Sequence, residues 1–262
     1  MDLKFWGVRG SAPTPQIDNL GYGGNTPCVE IRGGGGELLI FDAGTGLRNL
    51  GGSLAGPNLS LNVWLTHYHW DHIQGLPFFA PLYRPDVDIT FHASAHLGPA
   101  ETVLRGQMTR PYFPVDFDRA GARTRFVEMD REPVRCGDLR IHAFPVNHPQ
   151  GASGFRIESP GKVIVYATDL EFGDPRLDRV VRDYAQKADI LIFDAQYTLE
   201  EYESRRGWGH SHWLEATNAA RDAQAEQLIL FHHDPWHNDQ MVTAILDQAR
   251  RRFENTLAAK ED

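Results

Sequence analysis

Thr66-His67-Tyr68-His69-Trp70-Asp71-His72 lies between the apolar run Leu61-Asn62-Val63-Trp64-Leu65 and the turn signal Gly75-Leu76-Pro77. The run before it has strand composition, and the glycine and proline after it turn the chain back toward a core, so the polar segment ends a strand. An internal cluster in that setting is neither a solvated surface patch nor a tag. Residues two apart face the same way in an extended segment. His67 and His69 can therefore grip one metal ion while Asp71 and His72, past the turn, reach a second. The segment predicts a two-metal hydrolytic centre at the rim of a layered β fold.

Two divalent ions about 3.5–4 Å apart need more ligands than this run supplies. Three further groups follow apolar, strand-like runs: His148 after Phe144-Pro145-Val146-Asn147, Asp169 after Val165-Tyr166-Ala167-Thr168, and His232 after Leu228-Ile229-Leu230-Phe231. Polar residues also end strands for structural reasons alone. Joined to the 67–72 run, however, these three complete two coordination spheres. His233 competes with His232 for the last position.

Strand-like runs cover 3–8, 29–32, 37–41 and 61–65, with Gly33-Gly34-Gly35-Gly36 as a hairpin loop. A second set covers 88–92, 125–128, 139–145, 154–158 and 163–167, and then 190–193 and 227–231 alternate with helices predicted at 176–187, 212–225 and 239–252. The last helix places Arg250, Arg251 and Arg252 in its final turn, where the helix dipole favours cations. Strands interrupted by helices without a regular βαβ alternation predict two sheets packed face to face with helices outside, an αββα sandwich of the α/β class. The Pro-rich, aromatic span 77–114 reads as an insertion beside the site, either a packed loop or a substrate lid.

With 262 residues and 41% hydrophobic content, the chain can bury one large core, so 1–262 is expected to be a single domain. No apolar run approaches eighteen residues, and Met1-Asp2-Leu3-Lys4-Phe5-Trp6 lacks the features of a signal peptide, so a cytoplasmic protein without a membrane span is expected. Cys28 and Cys136 form neither a disulfide framework nor a metal-type spacing and are expected to be buried thiols. A formal charge of −9 repels polyanions, which disfavours long nucleic acid as a partner. Bound cations invert the local sign, so a small anionic substrate can still enter the site.

At this point the chain resembles the metallo-β-lactamase-fold hydrolases, and among them it is most similar to the ribonuclease Z-like phosphodiesterases. The likeness runs nearly end to end: Phe5-Trp6-Gly7-Val8-Arg9-Gly10-Ser11-Ala12-Pro13-Thr14-Pro15 resembles the opening strand and loop, Leu39-Ile40-Phe41-Asp42-Ala43-Gly44-Thr45-Gly46 the second strand with a supporting aspartate, and Thr66 to His72 the signature. The resemblance implies that His67, His69 and His148 hold a first metal, Asp71, His72 and His232 a second, and that Asp169 bridges them. His232 is preferred to His233 because two residues separate it from Pro235, as in the family's strand-end motif.

Gly209-His210-Ser211 matches a further motif, which implies that His210 sits near the scissile phosphate and assists the leaving oxygen; its plain alternative is a helix-capping neighbour of Ser211. Asp71 and His210 are thus the catalytic candidates. Asp42 and Asp194 are expected to orient ligand imidazoles. His212 is a weaker substrate-side candidate. Two divalent ions are implied, zinc first, with manganese or iron acceptable to the same ligands. A homodimer is also implied.

A solvent molecule bridging two cations yields hydroxide at neutral pH, which would be the nucleophile. Secreted β-lactamases lack a bridging aspartate such as Asp169, and the di-iron redox members carry glutamate where this chain has His69. No Gly- and Lys-rich insertion resembles the tRNA-binding arm of ribonuclease Z. The expected activity is therefore hydrolysis of a small phosphodiester, a 3′,5′-cyclic nucleotide first, with a tRNA- or RNA-processing nuclease as the alternative. A non-catalytic, metal-containing binding or sensing module is a further alternative, disfavoured because structural metal sites are closed and Cys-rich. Base stacking could come from Tyr22, Phe78, Phe79, Tyr112, Phe113, Trp208 or Trp213. The stretch 105–114, with Arg110, Tyr112 and Phe113, is the candidate substrate-facing segment.

Overall fold

The computed structural model describes residues 1–261. A first sheet contains, in spatial and sequence order, β1 (Asp2–Gly7), β2 (Cys28–Arg32), β3 (Leu38–Phe41), β4 (Ser60–Leu65), β5 (Asp88–Ser94) and β6 (Arg123–Met129), and it is parallel from β3 onward. A second sheet contains β7 (Val134–Cys136), β8 (Leu139–Val146), β9 (Ala152–Ser159), β10 (Lys162–Ala167), β11 (Ile190–Asp194), β12 (Gln227–Phe231) and β13 (Thr256–Ala258), antiparallel up to β10 and parallel beyond it.

The central strands are apolar on both faces because both faces are buried. Trp64, Phe41, Tyr166, Ile192 and Ile229 fill the layer between the sheets. Their neighbours Val63, Leu65 and Ile40 face outward under α1 (Gly46–Ser53), near which α2 (Trp70–Ile73) and α3 (Ala100–Gln107) follow. Val165, Leu191, Phe193 and Leu228 face outward on the other side, under α4 (Pro175–Ala185), α5 (Leu199–Arg205), α6 (Trp213–Asp222) and α7 (Asp239–Arg250). The result is the expected αββα sandwich. Helix starts are defined locally: Asp174 accepts from the amides of Arg176 and Leu177 ahead of Pro175, and Thr198 with Glu201 forms a capping box.

Several expectations need correction. The span 77–114 is not one insertion, because β5 lies within it as an internal strand of the first sheet. From β10 to β13 the strands are parallel with helical crossovers, a βαβ series obscured in sequence because α5, a loop and α6 share one connection. The last helix ends at Arg250, so only that arginine of the three lies in its final turn. Cys28 is buried, whereas Cys136 is half-exposed on the short edge strand β7. Among the described residues, no helix is long and apolar enough to cross a membrane.

Candidate metal centre

Parallel strands collect their C-terminal ends at one edge, where backbone groups leave the ladder and side chains are free to converge. Asp42 follows β3, Thr66 follows β4, Asp169 lies two residues after β10, Asp194 ends β11 and His232 follows β12. Asp42, Asp169 and His232 have φ of 62°, 54° and 63°. The left-handed conformation costs a side-chain-bearing residue roughly 1–2 kcal/mol, and such strain gathers at functional sites. A hydrogen bond from the Ser153 amide to the Thr66 carbonyl, 2.9 Å, joins the two sheets at this edge.

Two sets of donors meet there. In one, His72 Nε2 lies 3.3 Å from His232 Nε2, 3.5 Å from Asp71 Oδ2 and 3.1 Å from Asp169 Oδ2, while His232 Nε2 lies 3.3 Å from each of the two carboxylate oxygens. In the other, His148 Nε2 is 3.1 Å from His69 Nδ1, and His67 Nε2 and His148 Nε2 face Asp169 Oδ1 at 3.8 and 4.0 Å. Asp169 thus offers one oxygen to each set.

The opposite ring nitrogens show why these contacts are not ordinary hydrogen bonds. His72 Nδ1 donates to Asp42 Oδ2 at 2.9 Å, His232 Nδ1 to Gln196 Oε1 at 2.8 Å, His148 Nδ1 to the Gly209 carbonyl at 2.8 Å, His69 Nε2 to Gln150 Oε1 at 3.1 Å and His67 Nδ1 to Thr66 Oγ1 at 3.1 Å. Each neutral imidazole then turns a lone pair inward. His67 Nε2 is buried with no hydrogen-bond partner at all. Lone pairs and carboxylates converging out of water repel one another unless a cation lies between them. Ligands about 2.0–2.1 Å from a tetrahedral ion are about 3.3 Å apart, the spacing of the His72, His232, Asp71 and Asp169 set. The residues present fit two divalent cations, and a His/Asp set suits zinc, manganese or iron alike.

The electrostatics divide the set: His67 and His148 are held neutral, whereas in the absence of a cation the carboxylates draw a proton onto His72. Burial pushes His67 well below its ordinary pKa and His148 down to about 4. Burial also opposes charge on His72, but Asp169, Asp42 and Asp71 outweigh it and raise its pKa well above normal. Desolvation is likewise the largest influence on Asp71 and Asp169, yet the facing histidines hold both well below the usual carboxylate range.

Supporting contacts define the rest. Asp42 accepts from the Thr66 amide at 2.9 Å and the Tyr166 hydroxyl at 2.9 Å as well as from His72. Asp194, expected to orient a ligand imidazole, instead accepts from His210 Nδ1 at 2.9 Å and from the amides of Asp169, Gln196 and Ser211; His232 Nδ1 is 3.8 Å away. Burial disfavours charge on His210, but Asp194 prevails and lifts its pKa to about 9. The hydrogen-bond partner of His232 Nδ1 is Gln196 rather than Asp194. Glu171 accepts from the amides of Gly207 and Gly209 and from the Tyr202 hydroxyl, fixing the loop that carries His210 and the Gly209 carbonyl. Asp71 Oδ2 accepts from the Ser11 amide at 2.7 Å. Nothing in the sequence patterns announced Gln196, Glu171 or Ser11.

His232, not His233, faces the donor set: His233 Nε2 donates to the Ala259 carbonyl at 3.0 Å. His212 is the N-cap of α6, its Nδ1 accepting from the Glu215 amide at 3.2 Å, which accounts for it without a substrate. Phe113 packs edge-on against Phe78 and Tyr112 is exposed, and neither they nor Arg110 line the clefts that include His69 or Ser11. Of the other aromatic candidates, Phe79 and Trp213 are core residues, whereas Trp236, which no sequence motif singles out, is exposed four residues after His232.

Residues 39–233 match the family model described as Beta-lactamase superfamily domain. Among curated relatives, the chain is 24% identical to a ribonuclease Z of Archaeoglobus fulgidus, covering 99% of this chain and 95% of that one. Among solved structures, it is similar to the metallo-beta-lactamase fold protein YhfI from Bacillus subtilis, with TM-score 0.74, 20% identity and coverage of 99% and 96% of the two chains. It is also similar to a diphosphatase from the PhnP family, with TM-score 0.72, 19% identity and coverage of 99% and 94%.

Proposed function

The chain belongs to the beta-lactamase superfamily, and from that premise we propose that it is a two-metal phosphodiesterase acting on a small phosphodiester, a 3′,5′-cyclic nucleotide first. The observation that carries this reading is the pair of donor sets sharing Asp169, flanked by the Asp194–His210 pair. His67, His69, His148 and Asp169 would hold one cation, and Asp71, His72, His232 and Asp169 the other. Bound there, divalent cations supply Lewis acidity toward a phosphate oxygen and acidify solvent.

The chain's own residues do the remainder. Asp42, Gln196 and the Gly209 carbonyl keep the ring protons of His72, His232 and His148 pointed away from the centre, so that the inward nitrogens stay available. The Ser11 amide holds Asp71 in its rotamer. Asp194 fixes His210 through Nδ1 and keeps it protonated, leaving Nε2 to give a proton to the departing alkoxide.

Electrostatics favour a short substrate. The clefts that adjoin the cluster, one including His67 and His69 and the other beginning at Ser11, contain no lysine or arginine among their lining residues. An RNA strand is held by repeated cationic contacts to phosphate. The alignment with the Archaeoglobus ribonuclease Z spans 316 positions against 262 residues here, so that relative carries segments this chain lacks.

RNA processing is the second reading, supported by the ribonuclease Z name of several curated relatives. A panel of 3′,5′- and 2′,3′-cyclic nucleotides, bis(p-nitrophenyl) phosphate and a precursor tRNA separates the two, with Asp71→Ala as control. Cyclic nucleotide hydrolysis with little salt dependence, lost in the variant, supports the first. Cleavage of the tRNA alone, weakening steeply with salt, would replace it with the second.

A further inference from the structure

The loop after β1 and the loop after β12 enclose a cleft of about 540 Å³, of whose lining only Ser11 has a role in the reading above. That size falls in the range of small-molecule sites. One wall runs from Ser11 to Asn19, and the other comprises Pro235, Trp236 and Asn238. Both walls start at the metal centre. The Ser11 amide holds Asp71 at 2.7 Å, Gly10 abuts the His232 ring, and Pro235 follows His232 by three residues.

The walls are tied together from beneath by Arg9, which is fully buried. Its Nε donates to the Gly23 carbonyl at 2.7 Å and its Nη2 to the Asn19 carbonyl at 3.2 Å on one side; its Nη1 donates to the His237 carbonyl at 2.5 Å on the other. Asp239 adds a second tie, accepting from the amides of Gly21 and Tyr22. A cleft held this way is preformed rather than assembled on binding.

Its chemistry is specific. Trp236 is 89% exposed, an unusual state for an indole, and its backbone is fixed by a 2.8 Å bond from its amide to Asp234 Oδ1. Thr14, in the opposite wall, has a buried hydroxyl with no hydrogen-bond partner. Gln16, Asn19 and Asn238 offer amide groups, and the one charge in the lining is the carboxylate of Asp18. A flat aromatic face, neutral hydrogen-bonding groups and no cation suit a planar, uncharged heteroaromatic ring and repel a second phosphate.

We propose that this cleft binds the nucleobase of the substrate while its phosphodiester occupies the metal centre, with Trp236 as the stacking surface and specificity determinant. The inference rests on the phosphodiesterase reading for the identity of the attached phosphate, but the base-binding surface stands on the cleft itself. Stacking of one base on an aromatic side chain makes a roughly ten-fold difference in affinity or more.

The test compares wild type, Trp236→Ala and Trp236→Phe on 3′,5′-cyclic AMP and on glycerol 1,2-cyclic phosphate, which has no ring to stack, and adds a calorimetric titration of each protein with adenosine. The expected result is a KM for cyclic AMP raised about ten-fold in Trp236→Ala and largely recovered in Trp236→Phe, with glycerol cyclic phosphate kinetics unchanged and adenosine binding weakened in parallel. Equal KM values for cyclic AMP in wild type and Trp236→Ala, or adenosine bound equally by both, would overturn the inference and leave the phosphodiesterase reading intact. Adenosine binding lost in Trp236→Ala, with no phosphodiester hydrolysed by any of the proteins, would keep the cleft assignment and remove the phosphodiesterase reading.

Discussion

Gly10→Ala should strip one metal from the centre and spare the other. A Cβ at position 10 would lie 2.4 Å from His232 Nδ1, 2.5 Å from its Cε1 and 2.7 Å from Gln196 Oε1. Ordinary carbon contacts lie at about 3.5 Å, so the imidazole would have to retreat by on the order of 1 Å. Neither partner can move freely. Gly10 is pinned by the hydrogen bond its amide donates to the His233 carbonyl at 2.9 Å, and His232 is fully buried with Nδ1 hydrogen-bonded to Gln196 Oε1. Metal–ligand distances tolerate about 0.2 Å, and disturbing the groups that orient a ligand weakens metal binding by about 10- to 100-fold. The set formed by His67, His69 and His148 does not touch Gly10 and should keep its ion. The assay is metal content per chain after dialysis against buffered free zinc over a series of concentrations, with circular dichroism to confirm folding. At the free zinc that just saturates both sites of the wild type, the variant should retain one ion. Two ions retained with wild-type affinity would refute the steric argument, as would parallel loss of both from a folded variant.

Asp194→Asn should act through His210 rather than through the metals. As a proton donor His210 works below its pKa, so activity falls as pH rises through it; without the charge and hydrogen bond of Asp194, burial would pull that pKa down from about 9 against the remaining pull of Asp169 and Asp71. The basic limb of the kcat profile should move to lower pH, the rate at pH 8 dropping about ten-fold for each unit that the His210 pKa falls below 8, with metal content unchanged; an unshifted basic limb would contradict the assignment. Glu171→Gln should loosen the Gly207–Gly209 loop, lowering kcat and weakening the ion beside His148 by about ten-fold while the other stays bound, the reverse of Gly10→Ala; selective loss from the His232 side would argue against it. The chelated protein should lose stability in mild acid. Burial holds His92 near 4 and His233 near 3, so their contribution is complete above the unfolded value of about 6.5 and is lost as pH falls toward those folded values. Groups with raised pKa, such as His210, are fully protonated and contribute a constant amount over this interval. Urea midpoints should fall from pH 6.5 to 4.5, with His92 alone lowering the unfolding free energy by about 2 kcal/mol over that interval, and His92→Phe should flatten the curve; a midpoint independent of pH would remove the argument.

The parts of this molecule that could be read from sequence are those whose physics is local. Strands such as 190–193 and 227–231 were visible because a strand buried on both faces is apolar throughout, and the donor groups because each ends such a strand. Helix α1 was not visible, since Gly46, Gly51 and Gly52 spoil its propensity and packing under Phe79 sustains it. The groups that orient the donors were hidden for a related reason: Gln196 meets His232 across 36 positions and Glu171 meets Gly207 across the same distance, and no spacing rule links them. Asp194 carries the converse lesson. It was expected to orient a ligand imidazole, but only the structure shows that it holds His210, with His232 Nδ1 3.8 Å away.

The most direct test of the central claim is a metal titration of the apoprotein followed by the initial rate of bis(p-nitrophenyl) phosphate hydrolysis. Two shared donor sets predict that the rate rises to a plateau at two equivalents per chain and that Asp169→Asn abolishes it. Turnover that saturates at one equivalent, or none at two, would contradict the account.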